Sequence, residues 1–460
     1  MEQVAEKKIM GHPPGLFLLF FTEMWERFSY YGMRGILILY LTKAWLEGGL
    51  AIDEQKATLI YGFFTGFVYF TPIIGGWLAD KFLGQRLSIT IGGFTMMAGQ
   101  LVLFAMNSHL GMYLGLFLLI IGNGFFKPNI STLVGGLYKE GDDRRDSAFS
   151  IFYMGINLGA FLAPLVIGIL TDGIFATKSE TGEIVSYGYR YGFLAAAIGM
   201  FLGQILFNLL AEKYLGDLGK RPNAVSSSDL DEFNPKDIEK PLTHEEKQRI
   251  NVIFIFFLFA IFFWAGFEQA GSSLSLYTDK YIDREFMGSI IPTSWFQSVN
   301  PLFIVLLAPL FSIFWNTKYG KKLTSPVKLG LGMVILGIGF FFMLGAVAER
   351  GGDVQDQAVK ASLMWLIMTY LIHTIGELFL SPVGLSVVTK LSPPKLASVL
   401  MGVWLLSSFV ANILGGFLAS SVESLGAGKI FLYVSIFVIA CGILLIALNK
   451  KLMKMMHGVR

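Results

Sequence analysis

The sequence predicts an all-α integral membrane protein with twelve membrane-spanning helices, arranged as two bundles of six. Three observations predict this fold class. Of the 460 residues, 54% are hydrophobic and only 15% are charged, whereas soluble domains carry roughly 25% charged residues. Apolar runs long enough to cross a bilayer, which takes ~20 residues, recur along the whole chain. One long polar stretch separates these runs into two groups of six.

The first six helices are predicted from apolar runs that end at charged or glycine-rich turns. Their approximate bounds are 14–43, 57–79, 86–106, 110–135, 147–171 and 189–212. The chain contains 52 glycines, and glycine lets neighbouring membrane helices approach closely. The first run is too long for the apolar part of a cleavable signal peptide, so we predict that it stays as a membrane helix.

The polar stretch contains SSSDLDEF and NPKDIEKP and has no apolar run long enough to span a membrane. The remaining six helices follow it, at about 249–277, 294–316, 325–346, 361–389, 396–420 and 428–449. We therefore predict an N-terminal six-helix bundle, a cytoplasmic linker and a C-terminal six-helix bundle, over residues 1–212, 213–248 and 249–460.

Lysine and arginine are more numerous in the short loops on the side of the linker and the C-terminal tail. This bias predicts that both termini are cytoplasmic. The chain has a single cysteine, Cys441, which excludes an intrachain disulfide and any cysteine-based metal site. We find no nucleophile–base pattern and no metal motif, so we expect neither an enzyme nor a metal or organic cofactor.

The first helix carries four charged side chains within its apolar run. One such charge costs at least ~2.5 kcal/mol at the bilayer centre, so it needs a partner or a wet cavity. At helical spacing the charges share one face with two tyrosines: the residues of this face are Glu23, Glu26, Arg27, Tyr30, Tyr31 and Arg34. The alternative is an internal Glu23–Arg27 salt bridge that serves packing alone.

Polar side chains also interrupt two other helices of the first half. Lys127 precedes Pro128 in the fourth helix and lies deep in the predicted span. It therefore suits a pocket, although a lysine near a helix end can also extend to the headgroups. Asn157 in the fifth helix either lines a site or bonds a neighbouring helix.

The second half contributes two deep acids, Glu268 and Glu377, and an asparagine before a proline, Asn300. His373 lies one turn from Glu377 and could relay protons, but a packing role is the favoured interpretation. In the eleventh helix, Trp404, Ser408 and Asn412 share one face. This face either lines a cavity or packs against the twelfth helix.

Most of the intramembrane bases lie in the first half, whereas Glu268 and Glu377 lie in the second. If the halves face each other, the cavity between them has a positive and a negative wall, which suits a small zwitterion. A carboxylate would bind arginine or lysine through charge-assisted hydrogen bonds, and an ammonium would bind Glu377. An acid that gains and loses an arginine partner would also take up and release protons.

Several motifs resemble those of a known family. The turn GGWLADKFLGQR resembles the loop signature of the major facilitator superfamily. Glu-x-x-Glu-Arg-Phe-x-Tyr-Tyr-Gly in the first helix resembles the motif of proton-dependent oligopeptide transporters. Further segments resemble that family in order along the chain: GNGFFKPN, FYMGIN, FEQAGSS, GELFLSPVGLS and GVWLLSS. Many bacterial members insert two extra helices between the halves; residues 213–248 cannot supply them, so the resemblance is to a twelve-helix version.

The resemblance implies proton-coupled import of di- and tripeptides by alternating access. The peptide carboxylate side would bind Arg27, Arg34 and Lys127. The amino terminus would bind Glu377, Asn157 and Asn300. The pocket would be lined by Tyr30, Tyr31, Tyr69, Trp404 and Ser408. Proton coupling would rest on Glu23, Glu26 and Glu268. The outer gate would pair Arg34 with Glu268, and the inner gate Lys127 with Glu377.

The expected partners are thus small peptides, protons and the lipid bilayer, with no nucleic acid, and we expect a functional monomer in a bacterial inner membrane. Two alternatives remain open. One is a proton-coupled carrier of another small anion such as nitrate, which would have no need of Glu377. The other is a nutrient sensor that binds peptide without net transport.

Overall fold

The computed structural model describes residues 8–139, 142, 144–222, 241–393 and 396–459. Within these residues, eleven helices are long and apolar enough to cross a membrane. A further helix, α1, spans 29 residues and carries four charged side chains. Each of the twelve predicted spans therefore has its helix, and the predicted all-α membrane architecture is confirmed. The orientation of the termini stays a prediction.

The first half of the chain forms six long helices, and two of them continue into a π-helical turn. The helices are α1 (Pro14–Thr42), α2 (Glu54–Leu78), α3 (Gln85–Ala105), α4 (His109–Gly136), α5 (Arg144–Gly168) and α6 (Tyr189–Leu215). The π turns are Ala79–Leu83 after α2 and Ile169–Ile174 after α5. A two-stranded antiparallel ribbon, β1 (Thr177–Lys178) and β2 (Ile184–Ser186), precedes α6.

The second half begins with α7 (His244–Phe267), whose start is fixed by a capping box between Thr243 and Glu246. The helices that follow are α8 (Ser273–Tyr281), α9 (Val299–Asn316), α10 (Ser325–Glu349), α11 (Leu363–Leu391), α12 (Ala397–Ser420), α13 (Val422–Leu425), α14 (Ala427–Ala447) and α15 (Asn449–Met455). A second antiparallel ribbon, β3 (Glu285–Phe286) and β4 (Ser289–Ile290), follows α8.

The predicted seventh span is not one continuous helix. The α-helix ends at Phe267, a 3₁₀ turn covers Glu268–Gly271, and α8 resumes at Ser273. Gln269 contributes to the break, since its side-chain amide donates to the carbonyl oxygens of Ala265 and of Gly415, each at 3.0 Å. Glu268 is therefore the first residue of a tight turn between two helices, whereas the sequence placed it inside one.

The chain divides into two compact units. One comprises Met1–Ile52 and Phe67–Ser226, and the other comprises Asp53–Gly66 and Ser227–Arg460. The division between Ser226 and Ser227 falls inside the predicted linker, of which residues 223–240 lie outside the described part of the chain. The grouping of Asp53–Gly66 with the second unit was not anticipated from the sequence.

Close backbone contacts explain that grouping. A methyl group on Gly62 of α2 would lie 2.7 Å from the Cα of Gly416 in α12, and one on Gly66 would lie 3.2 Å from the carbonyl oxygen of Phe409. At the start of α2, Glu54 forms an ion pair with Lys280 of α8. The first half of α2 therefore packs within the second unit through glycines and one ion pair.

Glycines also set the helix spacing inside each unit. In the second unit, a methyl group on Gly330 of α10 would lie 2.7 Å from the carbonyl oxygen of Gly442 in α14. In the first unit, one on Gly92 of α3 would lie 2.6 Å from the carbonyl oxygen of Gly122 in α4. In lipid, no hydrophobic effect drives helices to associate, so their association depends on close packing of the kind that these glycines allow.

Candidate functional site

The centre of the first unit's candidate site is a buried cluster of two acids and an arginine on α1, which we call the α1 charge cluster (Glu23, Glu26 and Arg27). The Arg27 side chain forms ion pairs with Glu23 at 2.9 Å and with Glu26. The three residues are 4% exposed or less. A buried charge without a partner is strongly destabilising, so these residues depend on one another.

Neighbouring helices bury and orient this cluster. Gly159 of α5 lets the two backbones approach, since a methyl group there would lie 2.4 Å from the carbonyl oxygen of Met24 and 2.9 Å from the Cβ of Arg27. Asn123 of α4 donates from Nδ2 to a carboxylate oxygen of Glu26 at 3.4 Å. The Glu23–Arg27 salt bridge, which the sequence offered as the alternative interpretation of this face, is thus present inside a larger polar set that includes α4.

When both acids are ionised, the cluster holds two carboxylates against one guanidinium, so its charges do not balance by themselves. The charge of Lys127 on α4 acts on both carboxylates. Two acids and two bases therefore form a balanced set within this unit. Displacing the lysine would leave one negative charge in excess in a low-dielectric region, which favours uptake of a proton.

Aromatic rings hold the basic side chains of the first unit. The ammonium of Lys127 lies 4.1 Å from the ring centre of Tyr69. The guanidinium carbons of Arg27 and Arg34 lie 5.6 Å and 5.9 Å from the rings of Tyr30 and Tyr31. A cation over an aromatic face is stabilised by ~0.5–2 kcal/mol. Tyr30 is buried, whereas Tyr31, Arg34, Tyr69 and Lys127 are half-buried.

Pro128 leaves α4 helical at Lys127, but it removes one hydrogen bond. A proline has no N–H for the carbonyl oxygen four residues earlier, which here belongs to Gly124. Gly75 of α2 lies directly against that oxygen, because a methyl group on Gly75 would be 2.1 Å from it. The proline thus leaves this carbonyl oxygen without its helical donor, and α2 packs against the oxygen next to Lys127.

Asn157 lies on α5 and is half-buried. Its Nδ2 donates to the carbonyl oxygen of Tyr153 at 3.0 Å, one turn earlier in the same helix. This bond keeps the amide beside its own helix. The predicted contact of Asn157 with a substrate amino terminus stays a prediction.

In the second unit, two of the predicted site residues meet directly. Asn300 of α9 donates from Nδ2 to a carboxylate oxygen of Glu377 on α11 at 2.9 Å. The same nitrogen donates to Oγ1 of Thr374 at 3.0 Å. The Thr374 hydroxyl in turn donates to the carbonyl oxygen of Tyr370 at 2.7 Å. Glu377 and Asn300 are half-buried and Thr374 is fully buried.

His373 is buried in the second unit among apolar side chains. Its ring centre lies 4.6 Å from that of Phe340 and 6.4 Å from that of Phe267. A methyl group on Gly339 would lie 2.3 Å from the imidazole Cδ2, so this glycine makes room for the ring. These contacts favour the packing interpretation of His373.

The predicted lining residues of α12 differ in exposure. Trp404 is buried, and a methyl group on Gly384 of α11 would lie 2.5 Å from its indole. Ser408 is half-buried, and its carbonyl oxygen accepts a hydrogen bond from Asn412 at 2.8 Å. Their roles as pocket lining stay predictions. So do the gate pairs Arg34–Glu268 and Lys127–Glu377, because each joins residues of different units.

Two polar residues that contact predicted site residues were not identified from the sequence: Asn123 bonds Glu26, and Thr374 bonds Asn300. Asn123 lies within the GNGFFKPN motif, and Thr374 lies two residues before the GELFLSPVGLS motif. Thr374 precedes Glu377 by three residues and so shares its helix face. That spacing is the signal that could have identified it.

The whole chain is similar to known membrane transporters. A model of the POT family matches residues 86–228 and 226–430. The uncharacterized transporter YclF of Bacillus subtilis (strain 168) is 36% identical, with 100% of this chain and 98% of that protein covered. A di-/tripeptide transporter of Lactococcus lactis subsp. cremoris is 31% identical, with 99% of both chains covered.

The fold is also similar to solved structures. A crystal structure of a variant of a peptide transporter, POT, in complex with alafosfalin has a TM-score of 0.87 and 35% identity, and the similarity covers 99% of this chain and 98% of that chain. The similarity therefore extends over both halves of the sequence.

Proposed function

Because this chain belongs to the POT family, we propose that it imports di- and tripeptides across the cell membrane together with protons. The observation that carries the proposal is the Asn300–Glu377 pair: a half-buried carboxylate on a membrane-spanning helix, held by an amide donor. A carboxylate at membrane depth is costly and marks a functional site. It provides a partner for a cationic group such as a peptide amino terminus.

The other end of the peptide is assigned to the basic side chains of the first unit. Lys127 and Arg34 are half-buried and lie over tyrosine rings, and as cations both can attract a peptide carboxylate. Arg27 is already paired with Glu23 and Glu26 and contributes through this cluster. The tyrosines, with Trp404 and Ser408, would accommodate varied peptide side chains, because aromatic rings combine apolar surface with polar tips.

Proton coupling is assigned to the α1 charge cluster and to Glu268. When a peptide carboxylate attracts Lys127, the two carboxylates of the cluster lose one balancing charge, and a proton can replace it. Glu268 is proposed to couple through Arg34, which also forms the outer gate. The inner gate is proposed to pair Lys127 with Glu377. No further cofactor is required by this scheme.

The remaining features of the proposal follow from the sequence. Both termini and the linker are cytoplasmic according to the distribution of lysine and arginine in the loops. The protein acts as a monomer in the bacterial inner membrane. The relatives it matches are transporters rather than enzymes, and we propose that this chain likewise has no catalytic activity.

The test is uptake into liposomes that contain the purified protein and a trapped pH-sensitive dye. With a negative internal potential, dialanine is expected to acidify the interior, while N-acetyl-dialanine, which lacks the ammonium, is not. The Glu377→Ala variant is expected to abolish dialanine uptake. Unchanged uptake and affinity in that variant would refute the assignment of the amino terminus.

The same assay separates the alternatives. Acidification driven by nitrate and not by dialanine would identify an anion carrier. Dialanine binding without counterflow of labelled peptide would identify a sensor that does not transport.

A further inference from the structure

We infer that Thr374 is a positioning residue that determines which end of the Asn300 side-chain amide, the NH₂ group or the oxygen, points towards Glu377. Of the two experiments that test this inference, only the transport measurement rests on the proposed function. The hydrogen bonds themselves lie within one unit of the chain, between α9 and α11.

The first step is the direction of the Thr374 hydroxyl. Its Oγ1 lies 2.7 Å from the carbonyl oxygen of Tyr370, one turn earlier in α11. A carbonyl oxygen can only accept, so the single hydroxyl hydrogen of Thr374 is used in this bond. Towards Asn300, the Thr374 oxygen is left with lone pairs and can only accept.

The second step is the orientation of the amide. The Asn300 side chain has an NH₂ group with two hydrogens and an oxygen that only accepts. Facing an acceptor 3.0 Å away, it must present the NH₂ group. One hydrogen goes to Thr374 and the other goes to Glu377 at 2.9 Å. If the amide were flipped, its oxygen would face the oxygen of Thr374, and both would be acceptors.

The third step is the consequence for Glu377. A donor facing a carboxylate favours its ionised form, whereas an amide oxygen in the same place could be satisfied only by a protonated carboxyl group. Thr374 therefore keeps Glu377 ready to receive a cationic group. Without the Thr374 acceptor, the amide can turn and stabilise the protonated acid instead.

The charged and titratable neighbours of Glu377 within this unit are Glu268, which acts on it electrostatically from the turn after α7, and His373, one turn earlier in α11. His373 is buried among aromatic rings. Neither contacts the Asn300 amide in the hydrogen bonds that the structure records, so Thr374 acts through Asn300.

The test compares Thr374→Val with Thr374→Ser, which keeps a hydroxyl, and with Thr369→Val. Thr369 is an equally buried threonine of α11, whose hydroxyl bonds the carbonyl oxygen of Trp365 at 2.8 Å. The matched control, Thr369→Val, therefore makes the same chemical change in the same helix. Among the described residues, Thr369 has no hydrogen-bond partner on α9.

The transport readout is the pH dependence of KM for dialanine. At acidic pH, KM is expected to rise as Glu377 takes up a proton. In Thr374→Val, we expect this rise to begin about one pH unit higher, the shift that loss of one charged hydrogen bond would cause. Thr374→Ser and Thr369→Val are expected to keep the wild-type profile. In an Asn300→Ala background, Thr374→Val is expected to add nothing.

A second readout needs no substrate. Hydrophobic carbodiimides modify protonated carboxyl groups, so the labelling of Glu377 in the purified protein can be measured by mass spectrometry against pH. Thr374→Val is expected to move that labelling curve upward by about one pH unit. If the wild type fails to transport dialanine but this shift is seen, the proposed function is wrong and the positioning role stands.

Three results would overturn the positioning role: a wild-type labelling curve in Thr374→Val, an equal shift in Thr369→Val, or effects of Thr374→Val and Asn300→Ala that simply add.

Discussion

Gly75 of α2 lies against the carbonyl oxygen of Gly124 in α4, the oxygen that Pro128 leaves without its helical donor. A methyl group on Gly75 would be 2.1 Å from this oxygen, and the oxygen belongs to the backbone, so no flexible side chain can relieve the contact. The pair sets how closely α2 and α4 approach next to Lys127, which lies over Tyr69.

We therefore expect Gly75→Ala to separate α2 from α4, to lower Tm in detergent and to reduce dialanine uptake, because overpacking of this kind costs ~1–3 kcal/mol. The matched control is Gly76→Ala, whose methyl group would meet only the Pro128 ring, at 3.4 Å. Thermal unfolding of the two variants checks the prediction. Equal Tm values for both would mean that this contact does not limit packing.

The α1 charge cluster makes a prediction about coupling. In Glu26→Gln, one acid remains for Arg27, so the cluster no longer has a spare carboxylate to take up a proton. If one proton crosses the membrane with each peptide, a difference of one pH unit can drive about tenfold accumulation of the peptide. We expect the variant to lose this accumulation while it still exchanges labelled for unlabelled peptide.

The control for this prediction is Glu212→Gln. Glu212 pairs with Arg86 and Lys220, but its side chain is 70% exposed, so its loss should leave accumulation unchanged. Proton-driven accumulation that persists in Glu26→Gln would remove Glu26 from the coupling scheme.

The loop between α10 and α11 is held by a buried arginine. The Arg350 guanidinium donates to the carbonyl oxygens of Val354, Asp356 and Val359 at 2.7–2.8 Å and lies 3.8 Å from the ring of Tyr281. Lysine lacks the planar, forked set of donors. We expect Arg350→Lys to lower stability by about 2 kcal/mol and to expose this loop to protease.

The comparison variant is Lys360→Ala, at an exposed residue of the same loop whose ammonium bonds the carbonyl oxygen of Lys280. Limited proteolysis followed by mass spectrometry locates the cuts. Resistance of Arg350→Lys equal to that of the wild type would show that the loop is held by other contacts.

The loop before α5 gives a prediction for pH. Arg144 donates to the carboxylate of Asp142 from its guanidinium at 3.0 and 2.7 Å and from its backbone N–H at 3.0 Å. These bonds lower the pKa of Asp142 to about 2. A lowered pKa means that the interaction is complete above the ordinary value of 3.8 and is lost only as pH falls through about 2.

We therefore expect the carboxyl carbon of Asp142 to show no titration between pH 7 and pH 4 by NMR of labelled protein. In Arg144→Gln, the titration should return towards the ordinary range. Titration of the wild type near pH 4 would mean that the pair does not form in solution.

The fold was largely predictable because long apolar runs leave a chain little choice in a bilayer. All twelve predicted helices are present, and similarity to solved transporters confirms the predicted transporter fold. The break at Glu268 was missed because FEQAGSS has no proline, and because one contribution to it, the bond from Gln269 to Gly415 of α12, joins residues far apart in the sequence.

The site was predictable where partners are close in sequence. The Glu23–Arg27 pair follows from a spacing of four residues. Asn300 and Glu377 were each identified, but the bond between them was not, since the sequence contains no distance between α9 and α11. Thr374 was missed because a threonine inside an apolar helix usually bonds its own backbone, and here it does so while also accepting from Asn300.

The contact between Gly62 and Gly416 has a kinetic consequence. Neither residue has a side chain to interlock, and the atoms that meet are backbone atoms. If the two helices separate and come together again at these glycines during a transport cycle, no side chain at the two positions has to change its rotamer. Little steric hindrance therefore opposes the movement. A methyl group on either glycine would project into the backbone of the other helix. We expect such a variant to have a lower turnover rate and an unchanged affinity for its substrate.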